Sequence, residues 1–473
     1  MGSRVRHAAR SLQALTLSRL EERFRPLLPA DLLQLPSAGT NSRQRVFGLS
    51  RTFFCWLWQM LQLNTSCREV VRQLQALLTL QGGAMPDEDS SAYCQARARL
   101  PKDRLEKALH ATATKAFQRA RALPLLQGRP LKAVDGTGLR AADTPANQKR
   151  YPQPSNQKPG CGFPVLRLVV LFCMTSGAVL AQATGSLYDA EVSLFRRLFG
   201  SLKRGDILVG DRGFGHFIVL ALLARMGIDV IARVSTLSRR VDWRQGQRLG
   251  RADRLHQWRK PDSAARWIPR RLWRRLAKTL PVRLVRTRIT VKGSRTQEIT
   301  LVTTLLDAKR YPKDQILAAY LRRWRLEMCL KDLKSTLGLK EFKCLTPDMV
   351  EKELLVGLLL HNLLRCIMAE AAQTHTVALE RISFKGSLDA VRQFSAAAAQ
   401  TLSAKKRRVL WQRLLQTLAS DLVPDRPGRR EPRAVKRRPK YPLLTRDRRT
   451  YMDRSGREKR RSLARATKCH GLN

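Results

Sequence analysis

The chain has 473 residues, of which 90 are Lys or Arg and 37 are Asp or Glu, so its formal net charge is +53. A hydrophobic fraction of 43% is ordinary for a globular protein and argues against a wholly disordered chain. A compact state with so much like charge repels itself, so a polyanionic partner is expected. DNA is the first candidate because each neutralised phosphate releases counterions, although an anionic membrane or ribosomal RNA would satisfy the same charge.

Residues 1–122 carry helical patterns, and we interpret them as a helical DNA-binding domain. Ser66 and Glu69 fit a capping box at the start of one helix. A second short helix carries Arg97 and Arg99. Two short helices around a turn are compatible with a helix-turn-helix, and an ordinary helical bundle with solvated arginines fits equally well.

Two further features of the chain concern burial. The apolar run Val46–Leu63 is interrupted by Arg51 and Gln59, so it predicts a buried core helix and not a membrane span.

The nine cysteines form no Cys-x-x-Cys pair and no zinc-like cluster with histidine. We therefore interpret them as small buried hydrophobic residues in a reducing cytosol.

From about residue 131 the pattern changes to alternating strands and helices, and residues 123–235 are predicted to form the first part of an α/β core. A strand from Leu131 to Val134 is predicted to end at Asp135, and a strand from Asp206 to Gly210 leads into Asp211. The other predicted strands are Val165–Met174, Ala178–Ala183 and Asp229–Val234, and the predicted helices are Asp189–Phe199 and Phe217–Met226. The order strand, strand, strand, helix, strand, helix, strand matches the ribonuclease H-like fold.

The rest of the chain is divided by composition. Residues 236–306 are predicted to be a β-rich insertion that ends in a hairpin around Lys292-Gly293. Residues 307–372 are predicted to be the second part of the core, with one long helix from Pro312 to Leu337. A helical region, 373–423, follows, and the basic tail 424–473 is predicted to be disordered.

One face of the predicted long helix carries four chemically different groups: Tyr320, Arg323, Glu327 and Lys334. They are spaced at i, i+3, i+7 and i+14, which places them within roughly 60° of one another on a helix. The stripe offers a phenol, a guanidinium, a carboxylate and an ammonium. It suits the binding of phosphates on either side of a metal-binding carboxylate, and a solvated, salt-bridged face is the alternative.

Two aspartates complete a set of acids with Glu327. Asp135 is followed directly by glycine and Asp211 by glycine one residue later, and such aspartates are often plain turn residues. Two aspartates and a helical glutamate can together hold two divalent cations about 4 Å apart for phosphoryl transfer. Carboxylates suit Mg²⁺, a hard cation whose coordination shell is completed by substrate phosphate. Arg212, beside Asp211, is suited to hold a phosphate bidentately.

These motifs resemble those of the IS4 family of insertion-sequence DDE transposases. The spacing of Tyr, two residues, Arg, three residues, Glu, six residues, Lys matches the family's signature, and both aspartates stand in the family's contexts. The residues that carry the resemblance, over nearly the whole chain, are Val134–Thr137, Gly210–Phe214, Tyr320–Lys334, Ser91–Pro101, Tyr151–Pro154, Gly162–Pro164 and Lys440–Thr445.

The resemblance implies an enzyme that cuts DNA at transposon ends and joins the freed ends to target DNA. Asp135, Asp211 and Glu327 would be the catalytic, metal-binding triad, with two Mg²⁺ ions that Mn²⁺ can replace. Tyr320, Arg323 and Lys334 would hold terminal phosphates. Trp324 would stack on an unpaired or flipped end base, and a core aromatic is the alternative interpretation of this residue.

The implied partners are the terminal inverted repeats, target DNA and a second copy of the chain in a paired-end complex, with no membrane partner. The implied place is the bacterial cytoplasm, at the nucleoid. The family also implies cleavage through a DNA hairpin. Two rival functions remain at this point: a ribonuclease H-like nuclease without strand transfer, and an inactive DNA-binding descendant of a transposase.

Overall fold

The computed structural model describes residues 22–34, 46–81, 85–121, 123–234, 241–288, 298–399, 403–424 and 447. The predicted hairpin turn at Lys292-Gly293 lies outside these residues, as do the Lys440–Thr445 motif and nearly all of the predicted basic tail. The predicted domain boundaries stay predictions.

Nine strands of the described chain form one mixed sheet, in the order β3-β2-β1-β4-β5-β9-β8-β7-β6. The strands β1, β4 and β5 run parallel to one another, and every other neighbouring pair is antiparallel. The strand bounds are β1 Leu131–Arg140, β2 Val165–Cys173, β3 Val179–Ser186, β4 Ile207–Gly210, β5 Asp229–Arg233, β6 Gln247–Gly250, β7 Asp253–Arg259, β8 Thr279–Arg288 and β9 Glu298–Thr303.

Helices precede, connect and follow these strands. Their bounds are α1 Leu49–Gln62, α2 Cys67–Gln81, α3 Ser91–Arg99, α4 Lys102–Arg119, α5 Pro145–Arg150, α6 Glu191–Arg196, α7 Phe217–Arg225, α8 Arg270–Arg274, α9 Lys313–Leu321, α10 Trp324–Lys331, α11 Pro347–Thr374, α12 Phe384–Ala399 and α13 Ala404–Ser420. The chain is therefore a mixed α/β protein with a large mixed sheet.

The predicted helices of the N-terminal region are confirmed where the structure describes them. The helix α1 is buried, as the apolar run predicted. The amide of Glu69 donates to the Ser66 Oγ at 3.1 Å, so Ser66 caps α2. The short helix α3 carries Arg97, whose guanidinium lies 4.9 Å from the ring centre of Trp56 and packs against the protein. Arg97 is therefore not a fully solvated arginine, as the helical-bundle interpretation expected.

The central helix of the core is α11. It is long and apolar enough to cross a membrane, but 89% of its most apolar 18-residue window is buried inside the protein. Its Asn362 side chain accepts from the amide of Val179 at 2.8 Å and donates to the carbonyl of Val179 at 2.9 Å. A buried amide with both groups satisfied fixes the helix against β3.

The predicted hairpin between β2 and β3 is confirmed. It turns at Gly177, whose φ of +71° lies in the left-handed region that glycine adopts without strain. A side chain there would also meet Arg365, which donates to the carbonyl of Ser176. The α11 helix therefore covers this turn.

The predicted end of β1 is wrong. The strand was expected to stop at Val134, but it continues to Arg140 through the Asp135-Gly136 sequence. The reason is antiparallel pairing with β2, which runs from Lys132 opposite Cys173 to Arg140 opposite Val165. Asp135 therefore lies within a strand and not at its end.

Two predicted helices are also corrected. The helix predicted over Asp189–Phe199 is the shorter α6, followed by a 3-10 turn at Phe199–Ser201. The single helix predicted over Pro312–Leu337 is divided into α9, α10 and a π-helical turn at Asp332–Thr336.

The break between α9 and α10 is held by tertiary contacts. Glu380, in a 3-10 turn after α11, lies 3.6 Å from an Arg322 nitrogen and 2.8 Å from an Arg325 nitrogen. Arg322 and Arg325 flank the break, and the amide of Leu326 bonds to the carbonyl three residues before it. A distant turn therefore contacts the segment that carries Arg323.

The prediction that every cysteine is buried is wrong for three of the eight described. Cys67, Cys94 and Cys161 are half-buried, and the other five are buried. Spacing along the chain predicted neither this exposure nor which thiols meet in space.

Candidate active site

The strands β1 and β4 bring the two predicted aspartates together. Their parallel register pairs Leu131 with Ile207 and Ala133 with Val209. Asp135 and Asp211 each come two residues after the Ala133–Val209 pair, so the same register places Asp135, in β1, beside Asp211, directly after β4. Side chains two residues apart point to one face, and adjacent strands lie roughly 4.8 Å apart. The two carboxylates therefore share one face at the carboxyl end of β4.

Asp135 has an unusual electrostatic environment. The pKa of its carboxyl is raised to about 6, mainly by burial. The negative charges of Asp211 and Glu327 also raise the pKa, whereas the Gly136 amide and Arg323 lower it. The Gly136 amide donates to Asp135 Oδ1 at 2.9 Å. A carboxylate whose charged form is disfavoured by burial and by two other acids gains most from a cation.

The side chain of Glu191, in α6, lies over Gly136. A Cβ atom at this position would lie 2.6 Å from Glu191 Oε1. Because that oxygen ends a flexible side chain, a small shift of Glu191 would relieve the contact, so packing against α6 does not by itself require glycine here.

Asp211 begins a tight turn. Its Oδ1 accepts from the amide of Gly213 at 2.7 Å, which caps the 3-10 turn Arg212–Phe214. The bond fixes one carboxylate oxygen. Arg212 is exposed at the same edge.

The third acid lies on α10. Glu327 Oε1 accepts from Arg323 Nη2 at 3.0 Å, and the side chains are 39% and 17% exposed. The Arg323 guanidinium lies 5.7 Å from the ring centre of Tyr320 and carries an unpartnered, buried Nε. Arg323 thus links Tyr320 to Glu327 while its charge also reaches Asp135.

Lys334 approaches the site from the π-helical turn. Its ammonium donates to Thr137 Oγ1 at 2.9 Å. Thr137 follows Asp135 by two residues in β1, so both side chains lie on the same face of the sheet. The structure thus brings Asp135, Asp211, Arg323, Glu327 and Lys334 to one edge, although the helix that carries the last three is broken.

Tyr320 and Trp324 differ sharply in exposure. Tyr320 is 8% exposed and belongs to the hydrophobic core, so its ring is not a free surface for DNA. Trp324 is 66% exposed, which rules out the alternative interpretation as a core aromatic.

The acids fit a divalent cation by chemistry but are not arranged as a finished cage. Three carboxylates are the hard oxygen ligands that such ions prefer. Within the described ranges no group of three or more His, Cys, Asp or Glu side chains has metal-ligand geometry, and Glu327 is engaged by Arg323. A cation would offset the repulsion that raises the pKa of Asp135, so binding favours closer approach of the acids.

Sequence reasoning missed two contributors to this edge. Thr137 was part of a recognised motif, and its spacing of two from Asp135 is a strand signal that places both on one face. Glu380 lies 53 residues after Glu327 and has no signal in the sequence that points to Arg322 or Arg325.

Comparison with known proteins adds three findings. The family described as "Transposase DDE domain" matches residues 126–363. The curated "Transposase InsG for insertion sequence element IS4" of Escherichia coli (strain K12) is 28% identical over 419 residues, which is 86% of this chain and 90% of that protein. The cryo-EM structure of the piggyBac transposase synaptic complex with hairpin DNA is 8% identical with a TM-score of 0.41, over 87% of each chain. Since the family match covers just over half of the residues, this chain belongs to the DDE transposases and, within them, to the IS4 family.

Proposed function

We propose that Asp135, Asp211 and Glu327 are the catalytic carboxylates with which this DNA transposase cuts transposon ends. The observation that carries the proposal is the shared register of Asp135 and Asp211, together with the effect of Glu327 on the pKa of Asp135. An acid with a raised pKa that meets other acids at one edge of a sheet is typical of a catalytic site.

We further infer a ribonuclease H-like core. The parallel strands β1, β4 and β5 beside the antiparallel pair β2 and β3 support it. DDE transposases use divalent cations, and we propose two Mg²⁺ ions here, with Mn²⁺ as a substitute. When bound, such ions activate the attacking oxygen and stabilise the leaving oxygen of an in-line phosphoryl transfer. Asp135, Asp211 and Glu327 would hold them.

The cationic side chains would place the DNA. The Arg323 guanidinium pairs with Glu327, which is also a proposed metal ligand. When Glu327 binds the metal, a terminal phosphate can replace it as the partner of Arg323. Lys334 donates to Thr137, two residues after Asp135 on the same face of β1, so its ammonium is available at that face. Buried Tyr320 would orient Arg323 instead of touching phosphate.

The exposed groups at the rim would extend the DNA contact. Trp324 offers an open aromatic face on which an unpaired or flipped base can stack, a contact worth about 1–3 kcal/mol. Arg212 offers a second guanidinium beside Asp211. The partners we propose are terminal inverted repeats, target DNA and a second copy of the chain, in the bacterial cytoplasm at the nucleoid.

The test is cleavage of DNA that carries the transposon's own ends. Asp135→Asn, Asp211→Asn and Glu327→Gln should each abolish Mg²⁺- and Mn²⁺-dependent nicking while end binding persists, because each removes a metal ligand and no DNA contact. Asp348→Asn, at an exposed carboxylate near the start of α11, is the matched control and should cut normally. Nicking that survives in any triad variant would exclude that residue.

A second assay separates transposition from simple nuclease activity. Precleaved ends with free 3′ hydroxyls are offered together with a plasmid target. Joining is expected in the wild type and in Asp348→Asn. Cleavage without joining would favour the nuclease alternative, and stable end binding with neither reaction would favour an inactive descendant.

A further inference from the structure

The N-terminal helices bring together two thiols that are 27 residues apart in the sequence. Cys67 is the first residue of α2, and Cys94 lies within α3. Their side chains share a hydrogen bond, and both are half-buried. Among the eight described cysteines, this pair combines mutual contact with partial access to solvent.

The surroundings of the pair are polar and cationic. Gln59 Nε2 donates to Cys67 Sγ at 3.7 Å, and Arg97 Nη2 donates to Cys94 Sγ at 3.8 Å. Arg97 is itself fixed between the rings of Trp56 and Tyr93, 4.9 and 5.2 Å from their centres. A cation held rigidly against a thiol stabilises the thiolate, which is the nucleophilic form.

The acid–base balance of the pair follows from these contacts. The hydrogen bond with Cys67 and the Arg97 charge lower the pKa of Cys94 to about 6, although burial opposes the shift. The same hydrogen bond and burial raise the pKa of Cys67. One thiolate and one thiol, in contact, are the two components that a disulfide-forming reaction requires.

We propose that Cys67 and Cys94 are a peroxide-sensitive dithiol that closes to an intrachain disulfide between α2 and α3. The Cys94 thiolate attacks one oxygen of hydrogen peroxide, the O–O bond breaks, and hydroxide leaves as Cys94 becomes a sulfenic acid. The Cys67 thiol then loses its proton, its sulfur attacks the Cys94 sulfur, and the S–O bond breaks. Two thiols are oxidised, and the peroxide is reduced to two waters.

The disulfide would tie the start of α2 to α3 across the segment that joins them. Both helices belong to the region, 1–122, that the sequence predicts to bind DNA, and oxidation would restrict their relative motion. The inference does not depend on the proposed catalytic triad, because no residue of this dithiol touches the acids.

The experiment uses the reduced full-length chain. Hydrogen peroxide is added near neutral pH, remaining thiols are alkylated, and the protein is digested with trypsin. Free thiols should fall from nine to seven per chain, and a cross-linked pair of peptides, Thr52–Arg68 with Gln73–Arg97, should appear and vanish on reduction. Because Thr52–Arg68 also contains the buried Cys55, tandem mass spectrometry assigns the linked sulfur.

Three variants assign the steps. With dimedone present, Cys67→Ser should accumulate a trapped sulfenic acid at Cys94, whereas Cys94→Ser should leave Cys67 unlabelled. Cys161→Ser, which removes another half-buried thiol outside this cluster, should form the disulfide as the wild type does. A wild-type count that stays at nine, a cross-link that uses Cys55, or sulfenic acid at Cys67 in place of Cys94 would overturn the proposal.

Discussion

The raised pKa of Asp135 implies that this carboxylate, which we propose is needed for cleavage, destabilises the fold at neutral pH. In the folded chain the carboxyl titrates near pH 6 instead of its ordinary value of 3.8, mainly because it is buried. The folded state therefore binds this proton more tightly than the unfolded state. The stability that protonation contributes is fully present below about pH 4 and is lost as the pH rises through about 6. Above pH 7 the charged carboxylate destabilises the fold.

Asp135→Asn removes that charge and keeps an oxygen to accept from the Gly136 amide. Each pKa unit corresponds to about 1.4 kcal/mol, so the shift corresponds to ~3 kcal/mol at most. Partial exposure screens the charge, and we expect a gain of about 1–3 kcal/mol in the free energy of unfolding at pH 7.5. With an unfolding entropy of about 2.1 cal/mol/K per residue, or about 1 kcal/mol/K for the whole chain, Tm should rise by roughly 1–3 °C.

Differential scanning calorimetry of the metal-free protein at pH 4.5 and 7.5 tests this reasoning. The stabilisation by Asp135→Asn should be full at pH 7.5 and much smaller at pH 4.5, and the exposed Asp87→Asn should change Tm at neither pH. Added Mg²⁺ should then stabilise the wild type, by about 2.7 kcal/mol at a hundredfold excess over Kd, but not Asp135→Asn. An Asp135→Asn protein that is less stable than the wild type at pH 7.5 would refute the electrostatic account of this site.

Three further predictions concern DNA. Thr137→Val should release Lys334 and reduce end cleavage at least tenfold with unchanged Tm, since aligning a reacting group is worth several kcal/mol. Thr137→Ser keeps the hydroxyl and should cleave as the wild type does. Equal activity of both variants in a nicking assay would remove Thr137 from the site. Trp324→Ala should weaken binding to transposon-end DNA by about 1–3 kcal/mol, measured by equilibrium mobility shift. Trp324→Phe, which keeps an aromatic ring, and Met328→Ala, at an exposed neighbour, should bind as the wild type does. Deleting residues 424–473 removes 18 Lys and Arg with five acids, so the slope of log affinity against log salt should flatten for DNA of any sequence; an unchanged slope would give the tail another role.

The sequence alone determined the features that depend on residues close together in the chain. The hairpin at Gly177, the strand before Asp211 and the cap at Ser66 follow from local periodicity and local turn chemistry, and all three are present in the structure. The charge of +53 predicted a nucleic-acid partner because composition needs no fold to be counted. The spacing of Arg323 and Glu327 predicted their contact, since i and i+4 side chains meet on any helix.

Only the tertiary structure decided the features that depend on distant partners. Asp135 lies within β1 because a separate strand pairs alongside it, and α9 and α10 separate where Glu380 engages the arginines at their junction. Burial of Tyr320 beside exposed Trp324, and the contact of Cys67 with Cys94, likewise required the folded chain. The periodicity of side chains along a helix or strand predicts which residues share a face. The groups that pack against that face are determined by contacts between segments far apart in the sequence.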